Sequence, residues 1–182
     1  MDATFARDVA TVLVEGDLLG HDTHGLALLA PYLAELERGS LRASGNYRVI
    51  EERAATALWD GERLPGPWLV LRAVDDAIER AQRCGTGTVV IRRSHHIACL
   101  AAYLARATER GFVLLVTCSD PNSASVAPHG GLTPVFTPDP LAFGVPTSGD
   151  PVLIDLSASL TTNGMTARLH KQGRKFAHAW LL

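Results

Sequence analysis

The amino-acid sequence predicts an α/β fold, a mixed sheet with flanking helices, on three observations. Residues 66–84 set Trp68, Leu71, Val74, Ile78 and Ala81 at three- and four-residue steps, the period of a helix that buries one face. The apolar run Thr88-Val89-Val90-Ile91 follows and delivers Arg92-Arg93-Ser94-His95-His96, and helix, strand and polar loop then recur over residues 97–120. That alternation marks a layered α/β domain, in which ligands gather beyond the carboxyl ends of strands. No G-x-G-x-x-G follows a strand and no G-x-x-x-x-G-K-[ST] occurs, so neither a Rossmann fingerprint nor a P-loop is claimed.

Taken in order, Phe5, Val9, Val12 and Leu13 open the chain at helical spacing toward Leu19. The polar cluster His21-Asp22-Thr23-His24-Gly25 interrupts the pattern. A second helix is expected over residues 25–38, with Leu26, Leu29, Leu33 and Leu36 on one side and Gly39 as its stop; Pro31 falls in its first turns, where a missing N–H costs least. Tyr47-Arg48-Val49-Ile50 and Ala57-Leu58-Trp59 read as short strands, with Asp60-Gly61 as the turn that follows. Gly85 and Gly87 end the helix over 66–84, and residues 88–91 read as a buried strand. The next helix turns Ile97, Leu100, Ala101 and Leu104 inward and stops at Gly111, and residues 112–117 form a second buried strand leading to Cys118-Ser119-Asp120. For some forty residues beyond Asp120 the helical signal disappears, and Pro, Gly, Ser and Thr surround short apolar pieces at 141–145 and 152–154, a region of loops and strands.

Composition narrows the function classes. The 182 residues supply one domain, or one and a fragment, with a net charge of −2 and no basic block, so nucleic acid is not expected as a partner. Cys84, Cys99 and Cys118 are odd in number, far apart and without a C-x-x-C pair, which points to a reduced, cytoplasmic compartment. The longest apolar stretch, near residues 112–116, is too short to span a bilayer, and no targeting segment is expected at the N-terminus.

Chemistry concentrates at His21–Gly25. Two imidazoles, a carboxylate and a hydroxyl, followed by a glycine that lets backbone approach, suit proton transfer to a small polar substrate. Two other readings stand beside this one. Asp22 or Thr23 would cap the next helix in a purely structural role. Alternatively His21 and His24, three residues apart, would join His95 or His96 and an Asp in the zinc site of a metal-dependent hydrolase, although no H-E-x-x-H helix is present.

Five segments add a further argument by their order: Gly20-His21-Asp22-Thr23-His24-Gly25, Ser94-His95-His96, Ala127-Pro128-His129-Gly130-Gly131, Asp139 to Pro146 and Asp155-Leu156-Ser157-Ala158-Ser159. In order and spacing the chain resembles the type 2 malate/L-lactate dehydrogenase family, which also includes ureidoglycolate and sulfolactate dehydrogenases. The resemblance implies a non-Rossmann NAD(P)-binding fold, with residues 1–65 as the helical and small-sheet part of a substrate domain and 66–182 as a nucleotide-binding part. It also implies that the fold is incomplete, lacking roughly the C-terminal half. By the same resemblance, hydride passes between NAD or NADP and a small 2-hydroxy or 2-oxo acid, with His24 and His96 catalytic. Thr23 and Tyr32 then bind substrate, and Ser119, Asp120, Asp155, Leu156 and Ser157 contact the cofactor. A homodimer is expected, because an incomplete fold leaves apolar surface to cover. The alternative is a non-catalytic or inactive fragment of such an enzyme. Two departures favour that alternative: Leu28 stands where the family has an arginine suited to a substrate carboxylate, leaving Arg42, Arg92 or Arg93 to replace it, and Thr137-Pro138-Asp139-Pro140 replaces a Gly-Thr-Asn-Pro segment.

Overall fold

The computed structural model describes residues 1–120 and 123–176. Helix α1 (Ala3–Leu18) starts where Asp2 accepts the Thr4 N–H at 2.8 Å, and it buries Phe5, Val9, Val12, Leu13 and Gly16. A 3₁₀ turn (Leu26–Leu28) leads into α2 (Leu29–Glu37). Strands β1 (Arg48–Glu52) and β2 (Thr56–Asp60) pair antiparallel, with an irregularity between Val49 and Glu51. Helix α3 (Gly66–Cys84) then crosses over to β3 (Thr88–Arg92), which lies parallel to β2 with Trp59 opposite Ile91. This mixed sheet has the order β1-β2-β3. A second, antiparallel sheet joins β4 (Leu114–Thr117), β5 (Leu141–Val145) and β6 (Val152–Leu156) in that order.

The main core lies between these sheets and the helices. Val12 and Leu13 of α1, Tyr32 of α2, Val70 and Val74 of α3, Tyr103 and Leu104, and Val116 and Ala142 of the second sheet form one cluster. A smaller aromatic cluster sets Phe5 against Trp68 at 4.6 Å and stacks Tyr47 on Trp59 at 4.0 Å. Asp60, at the end of β2, is closed off from solvent and pairs with Arg93 (2.7 Å), Arg92 (3.1 Å) and Arg48 (3.6 Å); Arg93 first, then the Glu62 N–H and Arg92, keep its carboxyl low, at about 2. Among the described residues no helix is long and apolar enough to cross a membrane.

Three expectations change in the structure. Strands β3 and β4 are not buried: Val90 is 54% and Leu115 56% exposed, because successive side chains alternate and only one face of each sheet meets the core. The single helix expected after His96 is replaced by a 3₁₀ turn (Leu100–Tyr103) and one α turn, α4 (Ala105–Thr108). Ala98, at φ 59°, lies in the left-handed region, which a helix cannot include, and the Ala101 N–H is taken by Asp155. Helix α2 turns Leu29 and Leu33, with Leu26 before it, to the surface, while Tyr32 faces the core beside Leu28 and Leu36. Helix α5 (Asn163–Lys171) follows the stretch of loops and strands; it starts at Thr162, whose side chain accepts the Met165 N–H at 3.0 Å.

Candidate active site

The turn after α1 is built around Asp17. A Cβ on Gly25 would lie 2.0 Å from Asp17 Oδ1, so only glycine lets the turn pass this close, and Asp17 Oδ2 accepts the Leu26 N–H at 3.0 Å. Asp17 therefore satisfies the start of the next helical segment, and neither Asp22 nor Thr23 caps it. Asp22 instead receives both Arg168 nitrogens of α5, at 2.8 and 2.9 Å. Thr23 Oγ1 lies 3.1 Å from His24 Nδ1 and 3.3 Å from Thr162 Oγ1. The loop is thus pinned at both ends and presents His24 between them.

The second histidine arrives from β3. A Cβ on Gly66 would fall 2.3 Å from the His96 carbonyl oxygen and 2.5 Å from that of His95, so the first turn of α3 fits against this loop only without a side chain. Tyr32 Oη lies 2.7 Å from His96 Nδ1 and 3.2 Å from its carbonyl oxygen, and the Ala98 N–H points to the same Nδ1 at 3.2 Å. A backbone N–H can only donate, which makes Nδ1 an acceptor and puts the ring proton of neutral His96 on Nε2. The His24 and His96 rings are nearly parallel, 20° apart, with centroids separated by 5.9 Å. Tyr32 also meets the His95 ring edge-on at 5.2 Å. His95 Nδ1 is buried with no hydrogen-bond partner among the described residues.

These surroundings favour neutral imidazoles. Burial lowers the pKa of His24, His21 adds to the effect, and the carboxylate of Asp155 opposes it. His96 is lowered to about 4, first by burial, then by the neighbouring His24 and His95, with Asp120 pulling the other way. His96 is itself an exposed residue, whereas His24 and His95 are half-buried. Burial also raises the Tyr32 hydroxyl, so it stays protonated and able to donate.

The second sheet brings in the remaining segments. Strands β4 and β6 both run antiparallel to β5, so they run in the same direction and end together, with Thr117 opposite Leu141 and Leu141 opposite Leu156. Residues 118–120, 137–140 and 157–159 therefore meet at one end of the sheet, where the Ala158 N–H donates to the Pro138 carbonyl at 2.7 Å. Asp139 is held low by Thr137 and then Ser119. Asp155 turns inward, and its Oδ2 accepts from the Ala101 N–H at 2.9 Å and from Cys99 Sγ at 3.8 Å.

Of the residues read from the sequence, Thr23, His24, Tyr32 and His96 are joined by direct contacts, and Asp120 and Asp155 act on the two imidazoles through charge. Ser119 is exposed, Ser157 bonds within its own turn to Ser159, and Leu156, next to Asp155 on a strand, points to the opposite face. Arg92 and Arg93 pair with Asp60, and Arg42 with Glu62, so each already faces a carboxylate of the protein. Leu28 packs against the core. The zinc set of His21, His24 and His96 is not what the fold assembles, since the donor atoms that converge, within 4.8 Å, belong to His21, Cys99 and Asp155. A cavity of about 350 Å³ lined by Arg80, Arg83 and Cys84 lies at the far end of α3 from Gly66 and touches none of the histidines. Sequence reasoning missed Gly66, Cys99, Thr162 and Arg168; only Thr162, a hydroxyl before a helix, carries a local signal.

A family model described as malate/L-lactate dehydrogenase matches residues 1–182. The chain is 30% identical over 178 residues to a malate dehydrogenase of Pyrococcus abyssi, covering 97% of this chain and 48% of that protein. It is 31% identical to a (2R)-3-sulfolactate dehydrogenase (NADP(+)) of Chromohalobacter salexigens, covering 97% of this chain and 53% of that protein. The structure matches a crystal structure of malate dehydrogenase from Entamoeba histolytica with a TM-score of 0.92 and 28% identity, over 98% of this chain and 50% of that one. The chain spans about half the length of the curated relatives it matches.

Proposed function

Because the chain belongs to the malate/L-lactate dehydrogenase family, we propose that it carries the proton-handling part of an oxidoreductase acting on a small 2-hydroxy or 2-oxo acid. The observation that carries this reading is the pair of near-parallel imidazoles, His24 and His96, 5.9 Å apart, with Tyr32 bonded to the second. A nicotinamide cofactor, NAD or NADP, fits the polar loops that meet beside Asp155 at the end of the second sheet, with Ser119, Asp120, Asp155, Leu156 and Ser157 as the contacting positions. When bound, that group supplies or accepts the hydride. Residues 1–65 then serve the substrate and 66–182 the nucleotide.

The two imidazoles divide the remaining work. His96, with Nδ1 occupied and a low pKa, stays neutral near pH 7 and offers Nε2–H to the substrate oxygen, polarising a carbonyl or steadying the alkoxide. His24, whose proton affinity is supported by Asp155, donates the proton after reduction and takes it up in the reverse direction. Thr23 orients His24 and Tyr32 orients His96. We place the protein in the cytoplasm as a homodimer, a reading supported by its free cysteines and its exposed apolar faces; sedimentation at rising concentration tests the dimer.

Consumption of NADH or NADPH against the oxo acids of malate, lactate and 3-sulfolactate tests the activity. Turnover with at least one pair is expected, falling about 10²–10⁴-fold in His24→Gln. Nucleotide binding without turnover would favour the non-catalytic reading. Absence of both would overturn the proposal.

A further inference from the structure

We propose that His21, Cys99 and Asp155 form a site for a soft divalent cation, with zinc the best match, as three protein ligands of a tetrahedron whose fourth position is open. The observation is geometric. One imidazole nitrogen, one sulfur and one carboxylate oxygen lie within 4.8 Å of one another, although they come from the turn after α1, the loop before the 3₁₀ turn, and β6. Metal–ligand bonds of about 2.0–2.3 Å place tetrahedral donors roughly 3.3–3.8 Å apart, so side-chain rotation of about an ångström closes the set.

Each ligand is held by backbone that the cation need not move. The His21 N–H donates to the Gly16 carbonyl at 2.8 Å, and the His21 carbonyl accepts the His24 N–H at 2.7 Å. Cys99 is buried directly after the left-handed Ala98, and Asp155 is anchored by the Ala101 N–H on Oδ2. The donor set also selects the ion. Magnesium and calcium require oxygen ligands throughout, whereas thiolate, imidazole and carboxylate together suit zinc. On binding, the Cys99 S–H bond breaks, its proton leaves to solvent, and the thiolate takes the metal in place of its contact with Asp155. A cation here withdraws Asp155 from His24, so occupancy opposes proton transfer at that ring. The site itself stands independently of the dehydrogenase reading.

The test is a cobalt(II) titration of the chelator-treated 182-residue chain, followed by zinc equilibrium dialysis. We expect a near-ultraviolet thiolate-to-cobalt charge-transfer band with tetrahedral ligand-field bands, abolished by one equivalent of zinc. Cys99→Ser should remove the charge-transfer band, while Cys84→Ser and Cys118→Ser keep it. Asp155→Asn and His21→Gln should weaken zinc binding at least about tenfold, the smaller end of what even an outer-shell substitution costs, with far-ultraviolet circular dichroism confirming that each variant is folded. Absence of the band in the unaltered chain, or its survival in Cys99→Ser, overturns the proposal and leaves a structural thiol–carboxylate hydrogen bond. Because neither readout needs turnover, its failure is distinct from failure of the proposed activity.

Discussion

At the residue scale, the site depends on groups whose roles can be separated. With the Ala98 N–H directed at His96 Nδ1, the Tyr32 hydroxyl 2.7 Å away donates to the same nitrogen of the neutral ring and so favours that form. Tyr32→Phe removes this support, and the titration midpoint of His96, followed by NMR of the ring, is expected to rise; an unchanged or lower midpoint would remove Tyr32 from that role. Gly66 is a second lever. Its missing side chain leaves 2.3 Å to the His96 carbonyl, a distance no Cβ tolerates against backbone, so Gly66→Ala must push the His95–His96 loop away from α3. The expected cost is about 1–3 kcal/mol, as for other overpacked positions, together with a shift of the His96 ring resonances. The histidines and Tyr32 were legible because their residue types declare chemistry and their segments resemble a family. Gly66 and Cys99 were not, because their importance lies in contacts between residues some thirty or more positions apart, such as Gly66 with His96 and Cys99 with Asp155.

At the element scale, periodicity located α1 and α3 well, since each buries one continuous face over several turns. For α2 it held only in part: of the stripe Leu26, Leu29, Leu33 and Leu36, only Leu36 packs against the core, and the helix turns Tyr32 inward; the bond from Tyr32 to His96 and the core beneath it decide the rotation. It failed after His96, where Ala98 and the Asp155 hydrogen bond break up what the spacing of Leu100, Ala101 and Leu104 described as a helix. These two outcomes make opposite predictions for similar substitutions. Leu104→Ala, at a side chain with no solvent exposure, is expected to cost about 2–5 kcal/mol. Leu29→Ala, at the surface of the same fold, is expected to stay within about 0.5 kcal/mol. Urea unfolding of both variants checks the assignment, and equal losses would contradict the rotation of α2.

At the scale of the whole molecule, the arginine-paired aspartates and the imidazoles set a two-stage response to acid. His24, His95 and His96 all have pKa values lowered in the folded state, each chiefly by burial. The unfolded chain, whose histidines titrate near 6.5, therefore binds more protons than the native one in the window below that value. Stability is whole above about 6.5 and is expected to fall as pH drops toward 4, the value to which His96 is lowered. The carboxylates behave differently, since Asp60, Asp75 and Asp22 are each lowered first by a hydrogen bond from an arginine, Asp60 to about 2. Their contribution is present above the unfolded value of 3.8 and is lost only on passing toward the folded one. Denaturant midpoints measured from pH 8 to pH 3 should thus show a first decline from the histidines and a steeper one as the arginine-bound aspartates protonate. His96→Gln cannot titrate, so it should flatten the first decline and leave the second; a profile without slope between pH 6.5 and 4 would mean that the imidazoles are not held neutral by the fold, and with that the division of labour between His96 and His24 would lose its electrostatic basis.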